Sequence, residues 1–228
     1  GKGMAFQLDI TDMEKIEEVV SSIESRFGRI DMLVNNAGVG FAGGVEETSL
    51  QEVRAVFEAN FFGALYMTQQ VLPLMRTQKS GHIIQISSHG GLKAFAGFGI
   101  YNASKFALEG FSEALAQEVT PLGIRLTLVE PGPFRTNFAG KGLKMADRQI
   151  EDYASTAGAF RKKLKAVHGQ QEGHPGKAAQ AIWHLSKMED PPLRLPLGKT
   201  ALLTIGMKIE SVQQDLEDYR ELAQSAVY

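Results

Sequence analysis

The sequence predicts a doubly wound α/β fold, a parallel sheet covered by helices on both faces. Three observations predict it. Short apolar runs alternate with longer stretches of helical periodicity, the apolar runs have no polar face, and a polar cluster follows several of them. Strands that are apolar on both faces are typical of parallel sheets buried between two helical layers. We therefore expect a three-layer α/β/α arrangement.

The composition limits the class of protein. The chain has 228 residues, with 24 Lys and Arg against 26 Asp and Glu, and no Cys. A chain of this length suits one well-buried domain, so residues 1–228 are expected to form a single domain. The near-neutral charge predicts no nucleic-acid partner and no polybasic membrane contact, and no apolar run is long enough to span a bilayer. Without Cys for disulfides, the protein is expected to be cytoplasmic.

The first half of the chain alternates predicted strands and helices. The apolar run 4–10 is predicted to be a strand, and a helix capped by Thr11 follows it. A second strand is predicted over 31–38. A long amphipathic helix is then predicted from Leu50 to Met75.

The second half continues the alternation before it becomes less regular. The runs 81–88 and 124–132 are predicted strands on either side of a helix over 101–123. Residues 133–175 are less periodic and are expected to form helical pieces of a lid or substrate loop. The run 201–206 is expected to be the last strand.

Two segments near the C-terminus complete the prediction. The Pro-rich segment 189–198 is interpreted as a rigid connection between a helix and a strand. The segment 206–225 has the pattern of an amphipathic helix and is expected to cap the core.

Polar clusters follow three of the predicted strands. They are "NNAG" at 35–38, "ISSHG" at 86–90 and "PGPFRTN" at 131–137. In open α/β sheets the loops after the carboxyl ends of the strands form the ligand crevice. We expect these three clusters to lie together there.

The pair Tyr101 and Lys105 is the strongest candidate for catalysis. The two residues stand at i and i+4, so on a helix their side chains share a face. Such a pair alone is usually a solvated helix face. Ser88 ends the preceding predicted strand on the crevice side, and Asn60 lies in a helix expected to pack nearby, so the four residues indicate one site.

The sequence strongly resembles the short-chain dehydrogenase/reductase family, over nearly all of residues 4–206. The resemblance rests on an ordered set: "LDIT" (8–11), "NNAG" (35–38), Asn60, Ser88, "YNASK" (101–105) and "EPGPFRT" (130–136). It implies a Rossmann fold and an oxidoreductase that uses NAD or NADP. The substrate would be a small-molecule carbonyl or secondary alcohol.

The resemblance implies a role for each residue of the candidate site. A carbonyl that receives a hydride becomes an alkoxide and needs a proton, which Tyr101 would supply. A free phenol has a pKa of about 10, so the ammonium of Lys105 would stabilise the phenolate; Lys105 would also bind the nicotinamide ribose. Ser88 would orient the substrate oxygen. Asn60 would hold a water or backbone link from Lys105 to solvent.

The resemblance also assigns residues to the adenosine end of the cofactor. Asp9 would meet the adenine amine and Ile10 would pack on the ring. Asn36, Ala37 and Gly38 would form the turn under the ribose, where a residue without Cβ allows close approach.

The nicotinamide end would be lined by the segment after the predicted strand 124–132. The implied residues are Pro131, Gly132, Phe134 and Thr136, and Thr136 would hydrogen-bond the carboxamide. Tyr101 and Lys105 would also contact the cofactor. The five His residues show no metal-ligand spacing, so no metal site is predicted.

The chain departs from the family pattern at its start. Family members open with a strand, a Gly-rich phosphate turn and a second strand, whereas this chain begins where the third strand is expected. Two interpretations stay open: the chain is a fragment, or a preceding segment exists and is mobile without cofactor. As written, the chain is expected to bind a dinucleotide poorly. The residue that would select NAD or NADP lies in the absent part.

Three other interpretations remain beside a general alcohol–ketone oxidoreductase, and the last of them is a special case of it. A non-catalytic dinucleotide-binding or scaffolding protein on the same fold is suggested by the missing Gly-rich turn. A sugar-nucleotide epimerase is disfavoured because little chain follows the last predicted strand. A β-ketoacyl carrier-protein reductase would need a basic docking surface. The resemblance further implies a homodimer or homotetramer, and Phe residues in the lid would make the substrate hydrophobic if they turn inward.

Overall fold

The computed structural model describes residues 3–140 and 142–228. The strands are β1 (Met32–Asn35), β2 (Gly40–Ala42), β3 (Gly81–Ile86), β4 (Ile124–Pro131), β5 (Leu143–Met145) and β6 (Arg194–Leu197). The α-helices are α1 (Met13–Phe27), α2 (Leu50–Phe57), α3 (Gly63–Gln78), α4 (Gly99–Val119), α5 (Ala159–Ala166), α6 (Pro175–Leu185), α7 (Lys199–Asp218) and α8 (Arg220–Gln224).

Four parallel strands form the main sheet in the order β1-β3-β4-β6. In the register, Leu33 pairs with Ile83 and Ile83 pairs with Leu126. The second sheet consists of β2 and β5, also parallel. Parallel neighbours joined through helices confirm the predicted doubly wound α/β class.

The core lies on both faces of the main sheet. On one face, Ile83 and Leu128 pack against side chains of α1, α3 and α4. On the other face, Ile84 and Val129 pack against Leu185 of α6. Side chains alternate across a strand, so neighbouring residues such as Ile83 and Ile84 face opposite helical layers. This explains why the strands have no polar face.

The helix starts follow local hydrogen bonding, with one correction. The cap of α1 is Asp12, whose carboxylate accepts from Lys15 N at 3.0 Å, and not Thr11. Thr11 instead donates to Asp9, which leaves the Asp12 side chain to satisfy the free backbone nitrogens of the first turn.

The predicted strand over 4–10 is wrong, because the structure places no strand there. Met4 and Phe6 are exposed, and among the described residues no neighbouring strand offers hydrogen bonds to this segment. A strand exists only through such pairing. The segment therefore runs into α1 without regular secondary structure.

The structure reverses the predictions for two neighbouring segments, the expected strand 201–206 and the expected connection 189–198. Residues 201–206 belong to helix α7, with Ala201 and Ile205 buried one turn apart, so the predicted strand there is wrong. The strand is instead β6, inside the segment interpreted as a rigid connection. Pro196 is tolerated because β6 is an edge strand, where one backbone nitrogen needs no partner.

The segment 133–175 contains helical pieces, as predicted. They are the turns Asn137–Ala139, Glu151–Tyr153 and Ala154–Gly158, followed by α5. The strand β5 was not predicted. Among the described residues, no helix is long and apolar enough to cross a bilayer.

Candidate active site

Helix α4 brings Tyr101 and Lys105 to the carboxyl end of β3. Both side chains are buried, at 4% and 5% exposure. The ammonium of Lys105 donates to the carbonyl of Ile86, the last residue of β3, at 2.8 Å. The i and i+4 spacing therefore directs both side chains toward the sheet edge, where the crevice was predicted.

Ser88 lies beside the phenol of Tyr101. A methyl group at position 90 would lie 2.7 Å from Asn102 Nδ2, 3.2 Å from Ser88 Oγ and 3.5 Å from Tyr101 Cε1, so Gly90 lets these three side chains lie close together. Ser88 Oγ accepts from Gly90 N at 2.9 Å, which leaves its proton available to a ligand or to Tyr101. The structure thus brings Ser88, Tyr101 and Lys105 together.

Asn102 holds the loop that carries Ser88, and the sequence interpretation missed it. Its Nδ2 donates to Gly90 O at 2.8 Å and its Oδ1 accepts from Phe95 N at 3.0 Å. Asn102 is buried and next to Tyr101 on α4. Its position inside "YNASK" is the signal that could have identified it.

Asn60 lies in a π-helical turn, Glu58–Phe62, between α2 and α3. Its Nδ2 donates to Ser104 Oγ at 3.0 Å, and Ser104 Oγ donates to Tyr101 O at 2.7 Å. Single π-turns inside helices often occur at functional sites because they turn a side chain off the regular helical position. Here the turn connects Asn60 to the helical turn that carries Tyr101.

Gly38 follows β1 and approaches the same group. A methyl group there would lie 3.1 Å from Asn60 Oδ1 and 3.6 Å from Lys105 Nζ. The turn after β1 therefore reaches Lys105. Since Gly38 is exposed, a ligand can reach the site from this side.

Burial shifts the pKa values of the two central groups in opposite directions. Burial raises the pKa of Tyr101 to about 12, and a hydrogen bond with Ser88 partly opposes it. Burial lowers the pKa of Lys105 to about 8, while the charge of Glu109 opposes that change. Removal from water disfavours a charged form. Tyr101 is therefore a neutral phenol near pH 7 and can donate its proton to an oxygen.

Glu109 lies one turn beyond Lys105 and is, with Glu130, one of two buried carboxyls beside Arg194. Arg194 Nε lies 3.4 Å from Glu109 Oε2 and 3.3 Å from Glu130 Oε1. Burial raises the pKa of Glu109, and burial together with Glu109 raises the pKa of Glu130 to about 8. These carboxyls were not singled out from the sequence because β6 brings Arg194 to them.

Aromatic side chains enclose the phenol of Tyr101. The ring of Phe98 stacks on it at a centroid distance of 4.3 Å, and Phe138 meets it edge-on at 5.5 Å. Phe160 of α5 lies 5.2 Å from Phe98 and stacks with Phe95 at 6.4 Å. The surroundings of the phenol are therefore apolar, and Phe138 and Phe160 of the segment 133–175 form part of them.

A cleft of about 190 Å³ opens at the carboxyl end of β1. Its walls include Leu8, Ile10, Asn35, Asn36, Ala37, Gly63 and Met67. Gly63 allows the start of α3 to lie close to the backbone of Ile10, because a methyl group at position 63 would lie 2.6 Å from Ile10 O. Apolar walls beside a polar turn fit a flat heteroaromatic ring joined to a sugar, such as the adenosine of a dinucleotide.

Asp9 does not line this cleft. Its exposed carboxylate accepts from Thr11 N and Thr11 Oγ1, both at 2.9 Å, and these bonds lower its pKa. Ile10, Asn36 and Ala37 are brought together at the cleft, while Asp9 stands outside it.

The residues after β4 take more varied positions. Pro131 ends β4, and Gly132 packs against the start of α7, where a methyl group would lie 3.2 Å from Ala201 N. The ring of Phe134 lies on Gly173, which has no side chain to exclude it. Thr136 is exposed and caps the turn that carries Phe138, with Oγ1 accepting from Phe138 N at 3.2 Å.

Comparison with known proteins agrees with this arrangement. The family model described as short chain dehydrogenase matches residues 1–147. The chain belongs to the short-chain dehydrogenase family. The family expectation from the sequence is confirmed, and the protein is an NAD(P)-dependent oxidoreductase.

Relatives within the short-chain dehydrogenase family match most of the chain. Oxidoreductase BOA17 of Botryotinia fuckeliana is 39% identical over 98% of this chain and 82% of its own length. The 3-ketodihydrosphingosine reductase of Bacteroides thetaiotaomicron is 40% identical over 87% of this chain and 74% of its own length.

Solved structures of the family match the fold. The crystal structure of a short-chain dehydrogenase from Streptomyces avermitilis has a TM-score of 0.90 and 40% identity, and covers 97% of this chain and 81% of that chain. The structure of ElxO with NADP bound has a TM-score of 0.69 and 27% identity, covering 86% of this chain and 77% of that chain.

Proposed function

We propose that the protein interconverts a secondary alcohol and a ketone, with Tyr101 as the general acid and base. The convergence of Ser88, Tyr101 and Lys105 in a water-poor site carries this proposal. A bound nicotinamide supplies or takes up the hydride. The neutral phenol of Tyr101 gives its proton to the substrate oxygen as negative charge develops there, and Ser88 Oγ orients that oxygen.

Lys105 and Asn60 support Tyr101 in this proposal. The ammonium of Lys105, fixed by the Ile86 carbonyl at 2.8 Å, places positive charge at the site and offers its other protons to a ribose. Asn60 supports α4 through Ser104, within one helical turn of Tyr101. Its bonds to the Val39 backbone would orient the turn beside Lys105.

For the cofactor we propose one binding path along the carboxyl edge of the sheet. Ile10, Asn36, Ala37 and Gly38 would hold the adenosine, and Asp9 would turn toward the adenine amine from outside the cleft. At the other end, the segment containing Pro131, Gly132, Phe134 and Thr136 would hold the nicotinamide. Thr136 Oγ1 accepts the hydrogen bond that caps its turn, so its hydroxyl proton remains available to donate to the nicotinamide.

The substrate is proposed to be hydrophobic. The rings of Phe98, Phe138 and Phe160 make the surroundings of Tyr101 apolar, so an alkyl or aryl group would find apolar contacts there. The relative named for 3-ketodihydrosphingosine supports a long hydrocarbon substrate. Steady-state rates on long-chain ketones are expected to exceed those on short charged keto acids. Preference for the charged acids would remove this part of the proposal.

We further propose that residues 1–228 form one domain, that the protein works in the cytoplasm and that it forms a homo-oligomer. The absence of Cys supports the compartment, since no disulfide is available to the chain. Cell fractionation followed by detection of the native protein tests the compartment, and recovery in a secreted or membrane fraction would contradict it.

Tyr101→Phe tests the catalytic proposal. Only the proton donor is removed, so turnover is expected to fall at least about 1000-fold while NADPH binding, followed by nicotinamide fluorescence, changes little. Tyr153→Phe is the control, because this lid residue donates its hydroxyl proton to the exposed Glu46 at 2.7 Å and does not contact Tyr101. Retained activity in Tyr101→Phe would exclude the mechanism. Binding without turnover on any carbonyl in the unsubstituted protein would favour a non-catalytic dinucleotide-binding role.

A further inference from the structure

Three charged side chains lie next to Lys105 and take no part in the proposed reaction. Glu109 on α4 and Glu130 on β4 are 3% and 0% exposed, and Arg194 of the edge strand β6 contacts both of them. Glu130 and Leu128 stand two residues apart on β4, so both side chains face the layer that contains α4. These three residues therefore form a buried group of charges between α4 and the main sheet.

Glu109 approaches the end of β3, to which Lys105 is bound. A methyl group at position 91 would lie 3.2 Å from Glu109 Oε1 and 2.6 Å from Ser87 Oγ, so both oxygens lie near one point. Ser87 directly follows Ile86, whose carbonyl accepts from Lys105 Nζ at 2.8 Å. The carboxyl group of Glu109 thus lies beside the segment that holds the ammonium of Lys105.

Lys105 needs a negative charge nearby to remain an ammonium. It is 5% exposed, and its one hydrogen bond among the described residues goes to an uncharged carbonyl. An ammonium removed from water is destabilised unless an opposite charge compensates for the loss of hydration. Burial accordingly lowers the pKa of Lys105 to about 8, and the charge of Glu109 opposes this change. Glu109 is therefore the group that compensates Lys105.

The negative charge of the two buried carboxyls resides on Glu109. Glu109 has two cations beside it, Lys105 and Arg194, whose charges lower its pKa while burial raises it. Glu130 has Arg194 at 3.3 Å but is repelled by Glu109, and burial and this repulsion raise its pKa to about 8. Of two carboxyls that share one cation, the one with the additional cation ionises first. Near pH 7, Glu130 holds its proton and Glu109 is a carboxylate.

The charged groups that face Glu109 come from three elements. Lys105 belongs to α4, Glu130 to β4 and Arg194 to β6. Glu113 lies one turn further along α4 and binds the same Arg194 at 2.7 Å, but it is exposed. Glu113 therefore shares its helix, its residue type and its partner with Glu109, and differs from it in burial.

We propose that Glu109 is a positioning residue for the reaction, a carboxylate that keeps Lys105 in its ammonium form. This inference rests on the proposed role of Lys105 beside Tyr101. Without the charge of Glu109, Lys105 loses its proton at a lower pH, and the phenolate of Tyr101 then lacks the cation that stabilises it. The loss of turnover therefore appears on the basic side of the pH profile.

An NMR titration of Lys105 tests the proposal in the full chain and needs neither cofactor nor turnover. The ¹³Cε signal of labelled lysine follows the loss of the proton, and Lys105→Met identifies the signal. In Glu109→Gln the midpoint of this titration should fall by roughly one pH unit. Glu113→Gln is the matched control and should leave the midpoint unchanged. Glu130→Gln should lower it much less, because Glu130 is uncharged near pH 7.

Glu109→Asp shows whether the charge or the shape of the side chain matters. It keeps the charge on a shorter side chain, so the midpoint should fall by less than in Glu109→Gln. Circular dichroism verifies that the variants fold, and Glu109→Asp decides the question if Glu109→Gln does not. A midpoint that falls in neither variant would overturn the proposal, and so would an equal fall in Glu130→Gln.

The pH profile of kcat/KM for ketone reduction tests the consequence for the reaction. Glu109→Gln should lower kcat/KM about tenfold at pH 9 and much less at pH 6, where Lys105 is protonated in both proteins. Parallel profiles despite a lowered midpoint would overturn the role of Glu109 in the reaction. If the unsubstituted protein reduces no ketone while the midpoint still falls in Glu109→Gln, the proposed function fails and the effect of Glu109 on Lys105 stands.

Discussion

Asn60 holds the backbone of Val39 through two hydrogen bonds. Its Oδ1 accepts from Val39 N at 2.7 Å and its Nδ2 donates to Val39 O at 2.9 Å. One buried amide thereby joins the turn after β1 to the helix that precedes α3, and through Ser104 also to α4. Three elements that carry the candidate site are fixed by one side chain.

Asn60→Ala is expected to lower both stability and turnover. It leaves the buried polar groups that faced Asn60 without partners, which costs about 2–4 kcal/mol in unfolding free energy. Turnover should fall more than NADPH binding, because the position of α4 changes. Urea denaturation and steady-state kinetics measure the two effects. Gln69→Ala, exposed on α3, is the control and should change little. Equal stability of the two variants would contradict the role of Asn60.

Gly63→Ala is expected to destabilise the protein although it replaces Gly in a helix. The new methyl group would lie 2.6 Å from Ile10 O, so the segment lining the cleft must move. We expect a loss of about 1–3 kcal/mol and weaker NADPH binding. Gly110→Ala is a matched control, since nothing lies within 4 Å of that position on α4. It should stabilise by about 0.5–1 kcal/mol. A gain in stability in both variants would show that the structure accommodates a methyl group at position 63.

Glu47→Gln is expected to loosen the segment 146–161. Glu47 is buried, pairs with the buried Arg161 and accepts from Ile150 N at 3.0 Å. Removing one charge of a buried pair costs about 3–5 kcal/mol. Hydrogen exchange of α5 should speed up. Glu118→Gln, at an exposed site on α4, should leave the exchange unchanged. Equal exchange in the Glu47 and Glu118 variants would argue against Glu47 as the anchor of this segment.

Lowering the pH should weaken the Glu47–Arg161 pair, as the substitution Glu47→Gln does. The hydrogen bond from Arg161 is the main cause that lowers the pKa of Glu47 from 4.5 to about 2. The folded state therefore binds fewer protons than the unfolded state between these values. The stabilisation is present above pH 4.5 and is lost as the pH falls toward 2. In Glu47→Gln this part of the acid dependence should disappear.

Glu130 should make the protein less stable as the pH rises. Its pKa is raised to about 8 by burial and by Glu109, with Arg194 opposing. Between pH 4.5 and 8 the folded state holds a proton that the unfolded state releases, so stability falls with pH by at most about 1.4 kcal/mol per pH unit. Urea denaturation at pH 5, 6.5 and 8 measures this slope.

Glu130→Gln should reduce the slope because an amide does not titrate. Glu113→Gln is the control, since Glu113 binds the same Arg194 at 2.7 Å but is exposed. It should keep most of the slope. Equal slopes in the unsubstituted protein and Glu130→Gln would assign the pH dependence to other groups.

Much of the candidate site could be predicted from sequence because its spacing is local. The i and i+4 relation of Tyr101 and Lys105 fixes their common face as soon as the segment is helical. Ser88 and Asn36 follow apolar runs, so their place at the carboxyl edge follows from the fold class. Asn102, Gly63 and Phe138 could not be assigned in this way, because their roles depend on contacts between distant elements.

The sequence by itself determined the alternation of helices and strands, the parallel class of the sheet and the polar cluster at its edge, since these depend on periodicity and chain order. Only the tertiary structure decided which apolar run near the C-terminus became a strand. The run 201–206 suits either a helix or a strand, and β6 forms at 194–197 because hydrogen-bond partners on β4 lie beside it. Pairing and packing between distant segments are absent from local patterns, so they become visible only when the chain is folded.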